Sequence, residues 1–129
     1  MNEQMARAWL DRLVQAWLSH DADAMAELFT DDASDQADPF KPMVRGKENL
    51  RKGFEWWMKD QRDIHVSIGN VDVIGYRFYA EMDASWIVIS SGAKIEERGL
   101  LVCDMQDEQV RVMREFWKSR TGRQDHASE

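Results

Sequence analysis

Residues 63–88, DIHVSIGNVDVIGYRFYAEMDASWIV, carry the pattern that decides the fold. Ile64, Val66 and Ile68 alternate with His65 and Ser67, a period of two that predicts a strand with one buried face. The phase slips at Gly69-Asn70, since Val71 and Val73 carry it afterwards, and a bulge or tight bend is expected there. Gly75 marks a turn. The strand after it places Phe78, Ala80, Met82, Ala84, Trp86 and Val88 on one face. Tyr79, Glu81, Asp83 and Ser85 fall on the other.

Working towards the C-terminus, Ser90-Ser91-Gly92 turns the chain into a strand over 94–104. Gln106-Asp107-Glu108 turns it again into a last strand over 109–118, and residues 119–129, SRTGRQDHASE, read as a flexible tail. Towards the N-terminus the period changes. Ala6, Trp9, Leu10, Leu13, Val14 and Trp17 form one helical stripe over 3–19. Asp21 is placed to cap a second short helix that runs to about Phe29 and buries Met25, Leu28 and Phe29, which gives an αα-hairpin. Both prolines lie in the irregular stretch TDDASDQADPFKPMVRG, where a short edge strand is expected over 33–38. Gly46 then precedes a third helix, 47–59, with Leu50, Phe54, Trp57 and Met58 on one face. Helices first and strands afterwards predict an α+β domain, with the helices laid on one face of an antiparallel sheet.

The chain has 129 residues, a length for one core. No apolar run is long enough to cross a bilayer, and the N-terminus lacks the basic start and apolar block of a secretory signal. Cys103 is the only cysteine, which excludes an intramolecular disulfide and points to the cytoplasm. A net charge of −7 with scattered basic residues argues against nucleic acid. The polar helix faces are mixed in charge, which argues against a membrane surface. His20, His65 and His126 are far apart and show no metal-ligand spacing, and there is no P-loop or GxGxxG, so neither a metal nor a cofactor is expected. The 6 tryptophans and 8 methionines suit either a core of large side chains or the walls of a ligand pocket.

The element order, together with HDADAMAELFTDDASDQADPFKPMVRGKENL (20–50) and VRVMREFWKS (110–119), resembles the nuclear transport factor 2-like superfamily. Its SnoaL-like, ketosteroid isomerase-like and limonene epoxide hydrolase-like branches are the similar ones. The resemblance implies a single SnoaL-like domain over 1–118: a cystatin-like roll whose cone-shaped sheet is roofed by three N-terminal helices. Asp38-Pro39 resembles the dipeptide that bears the isomerase base, while the positions of the isomerase oxyanion donors hold Leu13 and Leu100. Steroid isomerisation by that route is therefore not expected. In the epoxide hydrolase pattern, Arg98 and Glu115 match an Arg and one acid. Gln36 and Asp38 match a Tyr and an Asn, and Leu100 replaces the other acid.

These positions give Asp38, Arg98 and Glu115 as candidate catalytic residues: Asp38 and Glu115 as proton carriers and Arg98 as electrostatic anchor. If Arg98 faces inward, alternation brings Glu96 and Leu100 with it, and Glu115 brings Met113 and Trp117. Trp17, Gln36, Phe54, Trp57, Glu96, Leu100, Met113 and Trp117 are then the expected lining of a pocket for a small apolar or cyclic molecule. A structural ion pair at Arg98, an exposed loop carboxylate at Asp38 and tryptophans that fill the cone are the competing readings. So is a non-catalytic ligand-binding or dimerisation module with a vestigial pocket. With Arg98 inward, Ile95, Leu101, Cys103, Val112 and Phe116 point outward, and a homodimer through that face is expected.

Overall fold

The fold is that of a computed structural model, which describes residues 1–122. Helix α1 (Glu3–Leu18) begins where Asn2 accepts a hydrogen bond from the Met5 amide at 2.9 Å, and it buries Ala6, Trp9, Leu10, Leu13 and Trp17. Asp21 caps α2 (Ala22–Ala26) by accepting from the Ala24 amide at 2.9 Å. That helix is shorter than expected. Met25, Leu28 and Phe29 are all buried, but Phe29 already opens strand β1 (Phe29–Gln36). A two-residue strand β2 (Val44–Arg45) follows, and Gly46, with φ of 90°, precedes α3 (Lys47–Met58). A positive φ at this point favours glycine, which has no Cβ to clash.

The four long strands are β3 (Gln61–Ile74), β4 (Arg77–Val88), β5 (Lys94–Gln106) and β6 (Gln109–Gly122). They are antiparallel to one another, and the register of β3 against β4 shifts between Ile68 and Val71, at Gly69-Asn70 as the sequence predicts. The sheet runs β2-β1-β6-β5-β4-β3. It is mixed: β1 pairs parallel with β6, and the edge beside it is β2. The expected edge strand at 33–38 is thus an interior one that starts earlier, at Phe29. Strand β6 reaches Gly122, so Ser119–Gly122 belong to the sheet instead of to a tail, and 123–129, including His126, lie outside the described residues.

The sheet is curved, with α1 packed over β3 and α3 over β1. The floor between the helices comes from β4, β5 and β6. On β4 Phe78, Ala80, Met82, Ala84 and Trp86 are buried, the face that the alternation predicts, while at the strand's end Ile87 of the other phase is buried too and Val88 is half-buried. Among the described residues no helix is long and apolar enough to cross a membrane.

Candidate functional site

Pairing fixes which way each strand faces. Phe78, Ala80, Met82 and Ala84 of β4 lie opposite Cys103, Leu101, Gly99 and Glu97 of β5. These in turn lie opposite Met113, Glu115, Trp117 and Ser119 of β6. Cross-strand partners share a face, so Glu97, Gly99, Leu101 and Cys103 look towards the helices, as do Met113, Glu115 and Trp117.

Arg98 is therefore on the outer face, where its side chain is 84% exposed and its Nε lies 3.8 Å from Asp83. Glu96 and Leu100 turn outward with it, and Glu96 accepts a hydrogen bond from Arg120 at 2.7 Å. This corrects the expected facing of β5 by one residue. Because side chains alternate with a period of two, a one-residue error exchanges the two faces of a strand. Ile95, Leu101 and Cys103 consequently belong to the inner face, with Leu101 and Cys103 fully buried. An open depression of about 560 Å³ crosses the outer face beside Asp83, Glu96, Arg98 and Lys118. Two ion pairs cross its walls, Arg98 with Asp83 and Arg120 with Glu96.

Asp38 and Gln36 serve the loop that they belong to. Asp38 accepts from the Phe40 amide at 2.9 Å, and Gln36 donates to the Lys41 carbonyl at 3.2 Å. Side-chain bonds of this kind fix a turn.

The acid that reaches the interior is Asp35. It pairs with Met113 across the β1–β6 ladder, is only 8% exposed and lies against Glu115. Burial, followed by the charge of Glu115 and a hydrogen bond with it, pushes the Asp35 pKa up to about 10. The buried Asp35 Oδ1 meets no N–H or O–H donor of the protein among the described residues. The bond between the two acids therefore needs a proton that one of them carries. With its pKa pushed up to about 10, Asp35 carries that proton at neutral pH and shares it with Glu115 through the bond.

Trp117 Nε1 donates to Glu115 Oε1 at 2.9 Å. Gly99 makes this possible, because a Cβ there would fall 2.5 Å from the indole ring of Trp117. The ring thus lies flat on the bare backbone of β5, and its N–H is aimed along its own strand. Glu97, half-buried on the same face, accepts from the Ser119 hydroxyl. Burial raises its pKa, the Ser119 bond lowers it, and the charge of Glu115 adds a smaller rise. The Cys103 thiol is pushed well above its usual range, mainly by burial, and stays protonated.

Of the expected lining, Trp17, Phe54, Trp57, Met113 and Trp117 are on the helix-facing side, as is the expected catalytic residue Glu115. Trp17 packs on Trp57 at 4.6 Å and on Trp86 at 6.0 Å, with Trp57 5.8 Å from Trp86. Phe54 packs on Phe29 at 5.5 Å. Among the described residues no group of His, Cys, Asp and Glu is arranged to hold a metal ion.

A family model described as the SnoaL-like domain matches residues 10–113. No curated protein matches the chain by sequence. Among solved structures, it is similar to the epoxide hydrolase/cyclase-like enzyme SalBIII, which has a role in pyran ring formation in the polyether salinomycin. The identity is 18% over 91% of this chain and 93% of that one, with a TM-score of 0.79. A protein from Jannaschia sp. CCS1 described as a SnoaL-like polyketide cyclase gives 17% identity over 90% and 87%, with a TM-score of 0.78. An LEH-like epoxide hydrolase of M. tuberculosis gives 15% over 89% and 84%, with a TM-score of 0.74. At such identities the likeness shows a common fold.

Proposed function

Because the chain belongs to the SnoaL-like domain family, we propose that it binds a small, mostly apolar molecule against the inner face of its curved sheet and transforms it by cofactor-free acid–base chemistry of isomerase, cyclase or water-addition type. The observation that carries this reading is the Asp35–Glu115 pair, two carboxyls on the inner side that share a proton. A site that holds one protonated and one ionised acid can take a proton from one atom of a substrate and give a proton to another. Glu115, held by the Trp117 N–H, is the base, and Asp35 is the acid. In a ring closure or hydration, Glu115 accepts the proton of the attacking hydroxyl or water as its oxygen bonds to carbon. Asp35 delivers its proton to the oxygen that leaves the same carbon. One return of a proton from Glu115 to Asp35 restores the pair.

In this reading Asp35 replaces Asp38 as a proton carrier, and Arg98, out in solvent, takes no part. Trp57, Met113 and Trp117 supply apolar wall, the usual setting for a few polar groups in a small-molecule site.

The test is turnover of a panel of cyclic epoxides and hydroxy-epoxides followed by mass spectrometry. Conversion that falls at least about 100-fold in both Asp35→Asn and Glu115→Gln is the expected result. Conversion unchanged in these variants, or none with any member of the panel, would overturn the catalytic reading. A non-catalytic binding module is the alternative, favoured by the interlocked rings of Trp17, Trp57 and Trp86, which occupy space between α1, α3 and β4. Saturable binding without turnover would establish it.

The proposed assembly is a homodimer through the outer face. Leu100, Val102 and the exposed Phe116 form its apolar middle, acidic Glu81 and Asp83 lie on the β4 side, and Arg114 and Lys118 lie on the β6 side. A twofold axis over β5 would set the acidic side of one copy against the basic side of the other. Light scattering should give twice the chain mass of 15.1 kDa, and a monomer mass would refute it. A single buried, protonated cysteine suits the reducing cytoplasm as the place of action.

A further inference from the structure

Charge is segregated across the sheet. Asp35, Glu97 and Glu115 all occupy the helix-facing register, whereas Lys94, Arg98, Arg114, Lys118 and Arg120 of β5 and β6 occupy the outward one. Two of the outward cations have outward partners: Arg120 pairs with Glu96, and Arg98 lies beside Asp83. Among the described residues no Lys, Arg or His makes an ion pair with Asp35, Glu97 or Glu115. Their recorded partners are Glu115 for Asp35, the Ser119 hydroxyl for Glu97, and the Trp117 indole together with Asp35 for Glu115. The inner side is thus acidic with no internal counter-charge. A low-dielectric wall at its back concentrates that field on this side of the sheet.

Aromatic faces flank the same strip. Trp117 lies half-buried over Gly99, two residues from Glu115 and diagonal to Glu97. At the other end of the strip Glu97 is diagonal to Trp86, and the half-buried Trp57 stands 5.8 Å from Trp86. Carboxylates and half-buried indoles side by side are the two elements that recognise an organic cation, since the ring face is electron-rich and the acids supply the counter-charge. The buried Asp35 Oδ1 on the same side, beside Glu115, meets no donor of the protein among the described residues and no cation pairs with it. The acids are strung along the strip and not gathered round one point, so the pattern suits a bulky cation and not a metal ion.

We infer that the molecule bound on the inner face is an organic ammonium, an amine with an apolar body seated between Trp117 and Trp57 and balanced by Glu97 and Glu115. This rests on the reading that the inner face is the binding site and specifies the class of its ligand.

The test compares choline with its neutral isostere 3,3-dimethylbutan-1-ol. Tryptophan fluorescence is titrated at constant ionic strength, with sodium chloride as the salt control. A neutral cyclic ether serves as a third ligand. Choline should give a saturable change at a concentration at least tenfold below that of the alcohol. Glu97→Gln and Glu115→Gln should each weaken choline at least fivefold and leave the alcohol unchanged, and circular dichroism checks that both variants fold. Equal response to choline and the alcohol would overturn the ammonium assignment while the inner face stands as a binding site. Binding of the ether without any response to choline would do the same. No response to any of the three would remove both.

Discussion

Strands β4 and β6 flank β5 in one sheet, and their inner faces have opposite chemistry. On β4 every helix-facing residue from Phe78 to Trp86 is apolar and buried, and Phe78 is wedged 5.7 Å from Trp9. On β6 the same face passes from the buried Met113 through Glu115 and Trp117 to the exposed Ser119. The lesson is a division of labour within one layer. Burial on the β4 side holds the helices down, at roughly 25 cal/mol for each Å² of apolar surface removed from water. That leaves the β6 side free to carry acids in a half-dry setting, which would destabilise the fold if placed on β4.

Substitutions can break this contrast from either side. The largest effect is expected at Phe78→Ala, which empties the contact with Trp9 and should cost about 3–5 kcal/mol in urea unfolding. A loss below about 1 kcal/mol would mean that β4 does not anchor the helices. Between the two strands, Gly99→Ala should cost about 1–3 kcal/mol, because its Cβ would collide with the Trp117 ring. It should also detach the indole from Glu115, seen as a shift of the Trp117 Nε1–H resonance. An unmoved resonance would show that the ring does not rest on the glycine.

On the β6 side the expected signature is a dependence on pH. Asp35 has its pKa raised from 3.8 to about 10, so the folded chain binds more protons than the unfolded one across that window. The contribution is complete below about pH 4 and is lost as the pH rises towards 10. Asp35→Asn, which needs no proton, should therefore gain on the wild type between pH 5 and pH 9, by about 1 kcal/mol or more. Parallel pH profiles for the two proteins would contradict the buried pair. Smallest of all is Arg98→Ala. An exposed cation 3.8 Å from its partner should leave stability within about 0.5 kcal/mol and inner-face binding unchanged.

The same contrast explains what could be read in the sequence. On β4 one phase is wholly apolar and the other polar from Arg77 to Ser85, so alternation alone sets the face. In β5, KIEERGLLVCDMQ, both phases are mixed: Glu96, Arg98, Leu100 and Val102 against Glu97, Gly99, Leu101 and Cys103. Nothing in the period decides between them, and the resemblance to the epoxide hydrolase pattern selects the wrong one. Two residues held the answer. Cys103 belongs to the type most often buried, and Gly99 offers a bare backbone for a large ring. Asp35 was hidden for another reason. Among four nearby aspartates in a proline-bearing stretch, the one that enters the sheet is chosen by the parallel pairing of β1 with β6, a long-range contact without a local signature. The αα-hairpin, the bulge at Gly69-Asn70 and the four long strands were legible because each rests on periodicity or on a local cap.

The central claim, a proton shared by Asp35 and Glu115 inside the sheet, is open to direct measurement. Side-chain carboxyl carbons labelled with ¹³C can be titrated by NMR, with Asp35→Asn used to assign the signal. The account predicts an Asp35 carboxyl that keeps the chemical shift of the protonated acid from pH 5 to pH 8, displaced further when Glu115 is changed to Gln. An Asp35 signal that titrates near 3.8, as in an open chain, would contradict it.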